Sequence, residues 1–311
     1  MLIVTLTANP AIDRTFSVDR LAFEDRAYVN SSRDSAGGRG INASSVIHSF
    51  GGKSVAVFPS GGNAGKRLVQ YLTGRGVPIS PVAVRNPIRT NFTVTDQHGL
   101  TVNLNQIGPM LSRAEVSRLE HAVLERLSGA SWLLLCGSLP PGVPASLYAR
   151  LIAAARKHKV RTLLDADGAA LREGIDAAPT VVAPNQQEAE RLLGRALLTR
   201  TTCLEAAEAI RAMGPAMVVL SIGSRGAIGS THEGVYEAVP PPVESVCPIG
   251  AGDALRAAFA WSMQKQPDRP AEALRWGVAA GTASARLPGM NLASLPEAEE
   301  IYRQVEVRRV E

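Results

Sequence analysis

The run Gly250-Ala251-Gly252-Asp253 stands directly before the helix-like stretch Ala254-Leu255-Arg256-Ala257-Ala258-Phe259-Ala260-Trp261. Two glycines let the backbone turn tightly and come close to a ligand, and a helix that starts there leaves N–H groups of its first turn unpaired. Such an end attracts phosphate through its amides and its dipole. A carboxylate in the same place is repelled by bound phosphate, so Asp253 suits a neighbouring hydroxyl that it deprotonates. Gly250, Ala251 and Gly252 then shape an anion hole, and the chemistry is phosphoryl transfer to an alcohol. The competing reading is helix capping, in which Asp253 accepts from the N–H groups of the first turn.

Four further constellations carry polar chemistry. Ala36-Gly37-Gly38-Arg39-Gly40-Ile41-Asn42 is a second glycine-rich turn opening a helix, without the Gly-x-Gly-x-x-Gly spacing of a dinucleotide site or the Lys-Ser/Thr end of a Walker loop. Asn42, both donor and acceptor, and Asp13 at the end of the first strand suit sugar hydroxyls, while a capping turn with a solvent-facing Arg39 is the alternative. Gly137-Ser138-Leu139-Pro140-Pro141-Gly142 follows a buried strand at the carboxyl end, where open α/β sheets bind ligands. Ser138 is there to donate to a phosphate, or else the segment is a rigid proline turn. Asn185-Gln186-Gln187-Glu188 puts an amide and a carboxylate three apart on one helical face. That pair suits water-bound magnesium near a triphosphate, with Glu188 as the metal contact through water; surface solvation is the alternative. In Ser221-Ile222-Gly223-Ser224-Arg225-Gly226 the small residues let a nucleotide lie against the backbone, or form a plain glycine loop.

These residues need a scaffold. Short apolar runs rich in Val, Ile and Leu recur between longer segments of helical period, the pattern of a mostly parallel sheet with helices on both faces. Core strands are expected over 3–6, 55–58, 132–136, 162–164, 181–183 and 218–221. Helices are expected over 41–50, 65–72, 113–127, 145–157, 186–193, 204–213, 253–264 and 271–285. Segments 14–32 and 89–104 break this rhythm with alternating residues and read as antiparallel hairpins, the second turning at Asp96-Gln97-His98-Gly99. They are expected to form a small sheet over one edge, as a lid or a dimer contact, within one domain over 1–311.

Composition narrows the function classes. The 311 residues include 45% hydrophobic side chains, enough for a large core, but no apolar run approaches the roughly 20 residues that span a bilayer. The net charge of +5 comes from scattered arginines rather than a dense basic run with aromatics, which gives nucleic-acid binding no support. Cys136, Cys203 and Cys247 have neither disulfide-framework nor metal-ligand spacing, and His48, His98, His121, His158 and His232 sit in no motif. A reducing compartment, the cytoplasm, is the expected location.

In order along nearly the whole chain, Asn9-Pro10-Ala11-Ile12-Asp13, Gly37-Gly38-Arg39-Gly40-Ile41-Asn42, Gly137-Ser138-Leu139-Pro140-Pro141-Gly142, Pro184-Asn185-x-x-Glu188 and Gly250-Ala251-Gly252-Asp253 resemble the ribokinase-like (PfkB) carbohydrate kinases. Arg89-Thr90-Asn91 and Pro240-Pro241-Pro242-Val243 resemble its phosphosugar branch, that of 1-phosphofructokinase, tagatose-6-phosphate kinase and minor-type 6-phosphofructokinase. The resemblance implies a doubly wound α/β domain, a small antiparallel β lid that often forms a homodimer interface, and ATP with Mg2+ as donor, with a monovalent cation as a further candidate. It assigns Asp253 as base and the N–H groups of Ala251, Gly252 and Asp253 as the hole for the transferring group. Sugar hydroxyls meet Asp13, Gly38 and Asn42, beside Gly37. The substrate's own phosphate meets Arg89, Ser138 and Arg39, with Arg26 reaching over from a partner's lid. Asn185 and Glu188 hold magnesium and phosphates, and Ser221, Gly223, Ser224 and Gly226 line the nucleotide. Departures from the branch are Ala183 in a place often held by Lys, Arg39 where many relatives carry Lys or Gly, and Cys247-Pro248 and Ala254 in place of small hydroxyl residues. Two alternatives to a phosphosugar kinase are a non-catalytic sugar-phosphate sensor and a kinase for an unphosphorylated sugar or nucleoside; a neutral acceptor would leave Arg39 and Arg89 unpaired.

Overall fold

The computed structural model describes residues 1–22, 25–289 and 291–310. The strands in chain order are β1 (Leu2–Thr7), β2 (Ala11–Val18), β3 (Val29–Gly37), β4 (Lys53–Ser60), β5 (Ile79–Ala83), β6 (Arg89–Asp96), β7 (Thr101–Asn105), β8 (Ala130–Cys136), β9 (Arg161–Asp165), β10 (Val181–Val182), β11 (Met217–Ser221), β12 (Ala227–Thr231), β13 (Gly234–Val239) and β14 (Glu306–Val310). The helices are α1 (Arg39–Ser49), α2 (Gly62–Gly74), α3 (Arg113–Leu127), α4 (Leu147–Lys157), α5 (Gly168–Asp176), α6 (Gln186–Leu193), α7 (Arg200–Ala212), α8 (Ala251–Lys265), α9 (Pro270–Ala285) and α10 (Leu295–Tyr302).

The main sheet runs β14-β13-β12-β11-β10-β9-β8-β1-β4-β5. It is parallel from β11 through to β5 and ends in the antiparallel β12, β13 and β14. Both faces are covered, so the central strands are apolar throughout and split their side chains between two cores. In β8, Trp132 and Leu134 join the core under α8 and α9, while Leu133 and Leu135 join the opposite core with α3, α4 and α7. Successive connections leave β1 on one side toward β4 and reach β8 on the other, so the carboxyl ends of β1 and β8 flank the switch point where open α/β sheets form their ligand crevice.

All six expected core strands are present. Four more, β5, β12, β13 and β14, lie outside that expectation, and three of them have a local reason. The edge strand β5 contains Pro81, which an edge tolerates and which breaks a strand pattern; β12 is short and rich in small residues, and β14 carries charges suited to an edge. Helices α5 and α10 were also unforeseen, although the Ser294–Glu297 capping box before α10 is a readable signal.

The second sheet runs β3-β2-β6-β7. The two hairpins are antiparallel as expected, and a parallel pairing of β2 with β6, from Ala11 opposite Arg89 to Val18 opposite Asp96, joins them. Register makes its two faces chemically different. Asp13, Asn91 and Asn105 are successive cross-strand partners and share one face. Phe16, Val94 and Val102 share the other with Arg14, Phe92 and Leu104, where the Phe16 and Phe92 rings stack at 6.2 Å. No helix among the described residues is long and apolar enough to cross a membrane.

Candidate active site

Helix α8 starts at Ala251 with Gly250 as its N-cap, at φ 85°, a left-handed conformation that glycine adopts without strain. No side chain caps this end, so Asp253 does not play the capping role that its position allows. Its Oδ2 instead accepts from Nδ2 of Asn42 at 2.8 Å. The N–H of Ala251 donates to the Pro248 carbonyl at 3.2 Å, whereas those of Gly252 and Asp253 have no acceptor among the described residues. The anion hole therefore has two free amides rather than the expected three. The Asp253 side chain is 12% exposed. Burial, reinforced by the nearby Asp165 charge, pushes its pKa up to about 6, against the pull of Arg256, Asn42 and Arg39.

The start of α8 divides two clefts. The smaller, about 360 Å3, is bordered by Gly250 and Asp253, and the larger, about 940 Å3, by Ala251 and Gly252. Asp13, Gly38, Arg39, Asn42, Arg89 and Ser138 all line the smaller cleft, which brings together most of the acceptor residues expected from sequence. Asn185, Ser221, Gly223, Ser224 and Gly226 line the larger one. Arg26 lies on the exposed loop between β2 and β3 and borders neither.

In the smaller cleft Asp13 is buried and accepts from Nδ2 of Asn91 at 2.7 Å. Burial raises its pKa, while the Asn91 bond and the Arg89 charge restrain the rise. Gly37 makes this placement feasible, since a Cβ on it would lie 2.2 Å from Asp13 Oδ2. Asn9 donates to the Ile107 carbonyl at 2.9 Å and to Ser138 Oγ at 3.3 Å. Asn9 Oδ1, Asn91 Oδ1 and Arg89 Nε are buried without a partner among the described residues. Burial also lowers the Arg89 pKa. Unpaired donors and acceptors gathered around a buried carboxylate and two arginines match a hydroxyl-rich anionic ligand.

Between the clefts lies a network of charges. Arg39 donates to Asp165 Oδ1 at 2.8 Å and pairs with Glu188 Oε1 at 3.0 Å, and these acids raise its pKa. Arg39 is thus not the solvent-facing residue of the capping-turn reading. The other Glu188 oxygen accepts from the Asn185 N–H, while Asn185 Oδ1 accepts from the Glu188 N–H, both at 2.9 Å. Glu188 is 2% exposed, so surface solvation fails for it; the pair is a capping box for α6, a signature that Asn-x-x-Glu carries in sequence.

Asp165 and Arg256 escaped the sequence reading. Asp165 ends β9 at the crevice side, a position whose ligand-facing character the strand assignment already implied. Arg256 is the one charge in the otherwise apolar run from Ala254 to Trp261, and that contrast is its signal. Asp165 Oδ2 is buried and unpaired, which fits a cation-bound water or a cation. Among the described residues no three acids, histidines or cysteines converge as a metal cage. Two carboxylates, Asp165 and Glu188, fit magnesium, which keeps several waters and takes its other ligands from substrate phosphates.

A buried carboxylate beside free helix-start amides, between two clefts on a doubly wound sheet, matches the layout of a carbohydrate kinase. The chain belongs to the pfkB family of carbohydrate kinases, whose family model matches residues 4–298. It is 35% identical over 303 residues to the ATP-dependent 6-phosphofructokinase isozyme 2 of Escherichia coli K12, covering 96% of this chain and 97% of that protein. It is 28% identical to the 1-phosphofructokinase of Vibrio cholerae, over 98% and 96% of the two chains. The solved structure of Escherichia coli phosphofructokinase-2 in complex with potassium superposes with a TM-score of 0.91 at 34% identity, covering 97% of this chain and 98% of that one.

Proposed function

We propose that the protein transfers the γ-phosphoryl group of ATP to a free hydroxyl of a sugar phosphate, of the fructose 6-phosphate, fructose 1-phosphate or tagatose 6-phosphate type. The observation that carries this reading is the start of α8, which presents Asp253 to the arginine-lined acceptor pocket and its amides to the larger cleft. Asp13, Asn91 and Asn42 orient the sugar hydroxyls, and Arg89 with Ser138 receives the existing phosphate. Asp253 takes the hydroxyl proton as the sugar oxygen bonds to phosphorus and the bond to the bridging oxygen of ADP breaks. A base with pKa near 6 is ionised at neutral pH yet basic enough to accept a proton, and the Gly252 and Asp253 amides meet the charge on the moving group. Asp165, through its unpaired Oδ2, and Glu188, through water, would hold magnesium, which would supply charge neutralisation on the phosphates. A monovalent-cation requirement is part of the proposal, on the strength of the Escherichia coli neighbour solved with potassium. The three unpaired thiols suit the cytoplasm.

We also propose a homodimer through the second sheet. Its apolar face leaves Leu104 57% exposed, with Phe16 and Phe92 half-buried, and a second copy would cover it while Arg26 of that copy approaches the acceptor phosphate. A coupled assay of ADP release across the three sugar phosphates and their unphosphorylated parents tests the main reading. Turnover confined to one or more phosphosugars supports it, and turnover of unphosphorylated sugars alone overturns it.

A further inference from the structure

The larger cleft is lined by a single cationic side chain among the described residues, that of Arg256, while Arg39 and Arg89 both border the smaller cleft. Arg256 is therefore the one arginine of that lining, while Arg225 is held at the rim by donating to Gln186 Oε1 at 2.8 Å. Arg256 is 5% exposed and sits in a helix whose neighbouring residues, from Ala254 to Met263, are all buried. A charge in such a place is costly to bury unless it is paired or used. Two contacts fix its head. Nε donates to the Ala183 carbonyl at 3.0 Å, and Nη2 lies 3.2 Å from Asp165 Oδ1.

The remaining nitrogen, Nη1, is different. Its nearest acid is Asp253 Oδ1 at 3.7 Å, beyond hydrogen-bond distance, and it lies so close under the anion hole that a Cβ on Gly252 would be 2.7 Å away. On the kinase reading, an unspent donor held against Asp253 and Gly252 lies where the phosphoryl group would cross.

Resting on the kinase reading above, we propose that Arg256 is a catalytic residue whose Nη1 contacts the transferred phosphoryl group. It enters from the helix side and acts with the Gly252 and Asp253 amides. The Nε bond and the Asp165 pair hold the planar head, so the donor is preorganised rather than recruited, the condition under which such groups act most strongly. Its target is the γ-phosphoryl rather than the α- or β-phosphate, because Nη1 lies at the Asp253 end of the cleft.

The test compares an ATP analogue with an imido β–γ bridge against ADP, measured by calorimetry with Mg2+ on the full-length chain. Arg256→Met is expected to weaken the analogue by about tenfold or more and ADP by less than about twofold, and to lower kcat on the order of 10²–10³-fold, as loss of one transition-state donor does. The KM for the sugar phosphate should stay within about twofold. Equal weakening of analogue and ADP, or no weakening of either, overturns the assignment. Should Arg256→Met not fold because Asp165 loses its partner, Arg256→Lys keeps a positive charge beside Asp165 while removing Nη1, and the same analogue-to-ADP ratio decides. The parent protein separates the two layers of inference. A parent that turns over no sugar with ATP sinks the kinase reading, whereas an active parent with an unchanged ratio in the variant sinks only the role of Arg256.

Discussion

Nδ2 of Asn42 in α1 donates to Oδ2 of Asp253 in α8 at 2.8 Å, a bond that closes over 211 positions of sequence. One carboxylate oxygen is thereby anchored, and Oδ1, with only Arg256 Nη1 at 3.7 Å, is left for a substrate hydroxyl. Asn42→Ala should keep the base but free its orientation. We expect a loss of about 10- to 100-fold in kcat, since misplacement by an ångström carries a penalty of that order. Steady-state kinetics check this, and a kcat within about threefold of the parent would show that the anchor is dispensable.

Removal of the base itself separates catalysis from stability. Asp253→Asn retains an acceptor oxygen for Asn42 and should lower kcat on the order of 10²–10⁴-fold with nucleotide binding largely kept. Its folding stability should rise. Burial lifts the pKa of Asp253 from 3.8 to about 6 in the folded protein, so the folded state holds the proton more tightly than the unfolded chain does. That favourable contribution is complete below 3.8 and is lost as pH rises through about 6. At neutral pH the charged Asp253 therefore opposes folding by up to about 3 kcal/mol, and the asparagine does not. Denaturant melts should show the variant more stable at neutral pH, with the difference shrinking toward about pH 4; no pH dependence of that difference would refute the assignment.

The same shift fixes the acid limb of the activity profile. A base ionising near 6 in the free protein makes kcat/KM fall about tenfold per pH unit below that value and level off above it. A limb of kcat/KM centred near 4 would mean that Asp253 is an ordinary carboxylate in the free protein.

Much of the site was legible because most of its residues sit in short motifs at the carboxyl end of a strand or the start of a helix. Asn42, Ser138 and Asp253 have that form, and they share one crevice with Asp13, which lies inside β2 of the second sheet rather than at the end of the first strand. Pairing across the network was not legible. Nothing in the spacing of Arg39, Asp165, Glu188 and Arg256 says which cation meets which acid, because those bonds depend on how α1, α6 and α8 pack around the ends of the strands. Glu188 illustrates the limit. Its helical spacing from Asn185 predicts a metal-facing pair, while the same Asn-x-x-Glu spells the capping box that the structure forms.

Gly37 supports Asp13 through space alone. It has no left-handed backbone demand, but its Cα faces the Asp13 carboxylate so closely that any Cβ collides with both oxygens. Gly37→Ala should push Asp13 aside and raise the KM for the sugar phosphate by about tenfold, with nucleotide affinity unchanged because the larger cleft does not include either residue. Calorimetric titration of each ligand separates the two, and equal weakening of both would point to a general disturbance.

In the proposed dimer the second sheet would tie assembly to acceptor recognition through its two faces. Asp13, Asn91 and Asn105 border the acceptor pocket from one face, while Leu104, Phe92 and Phe16 crowd the other. A charge at Leu104 would have to be desolvated in any pairing of two such faces, so Leu104→Asp is expected to shift the protein from dimer to monomer in sedimentation. If Arg26 of the second copy reaches the acceptor phosphate, that monomer and a dimeric Arg26→Ala variant should show the same rise in KM for the phosphosugar, with little change in affinity for the nucleotide. A monomeric Leu104→Asp with an unaltered KM would remove Arg26 from the site and leave the dimer without a catalytic role.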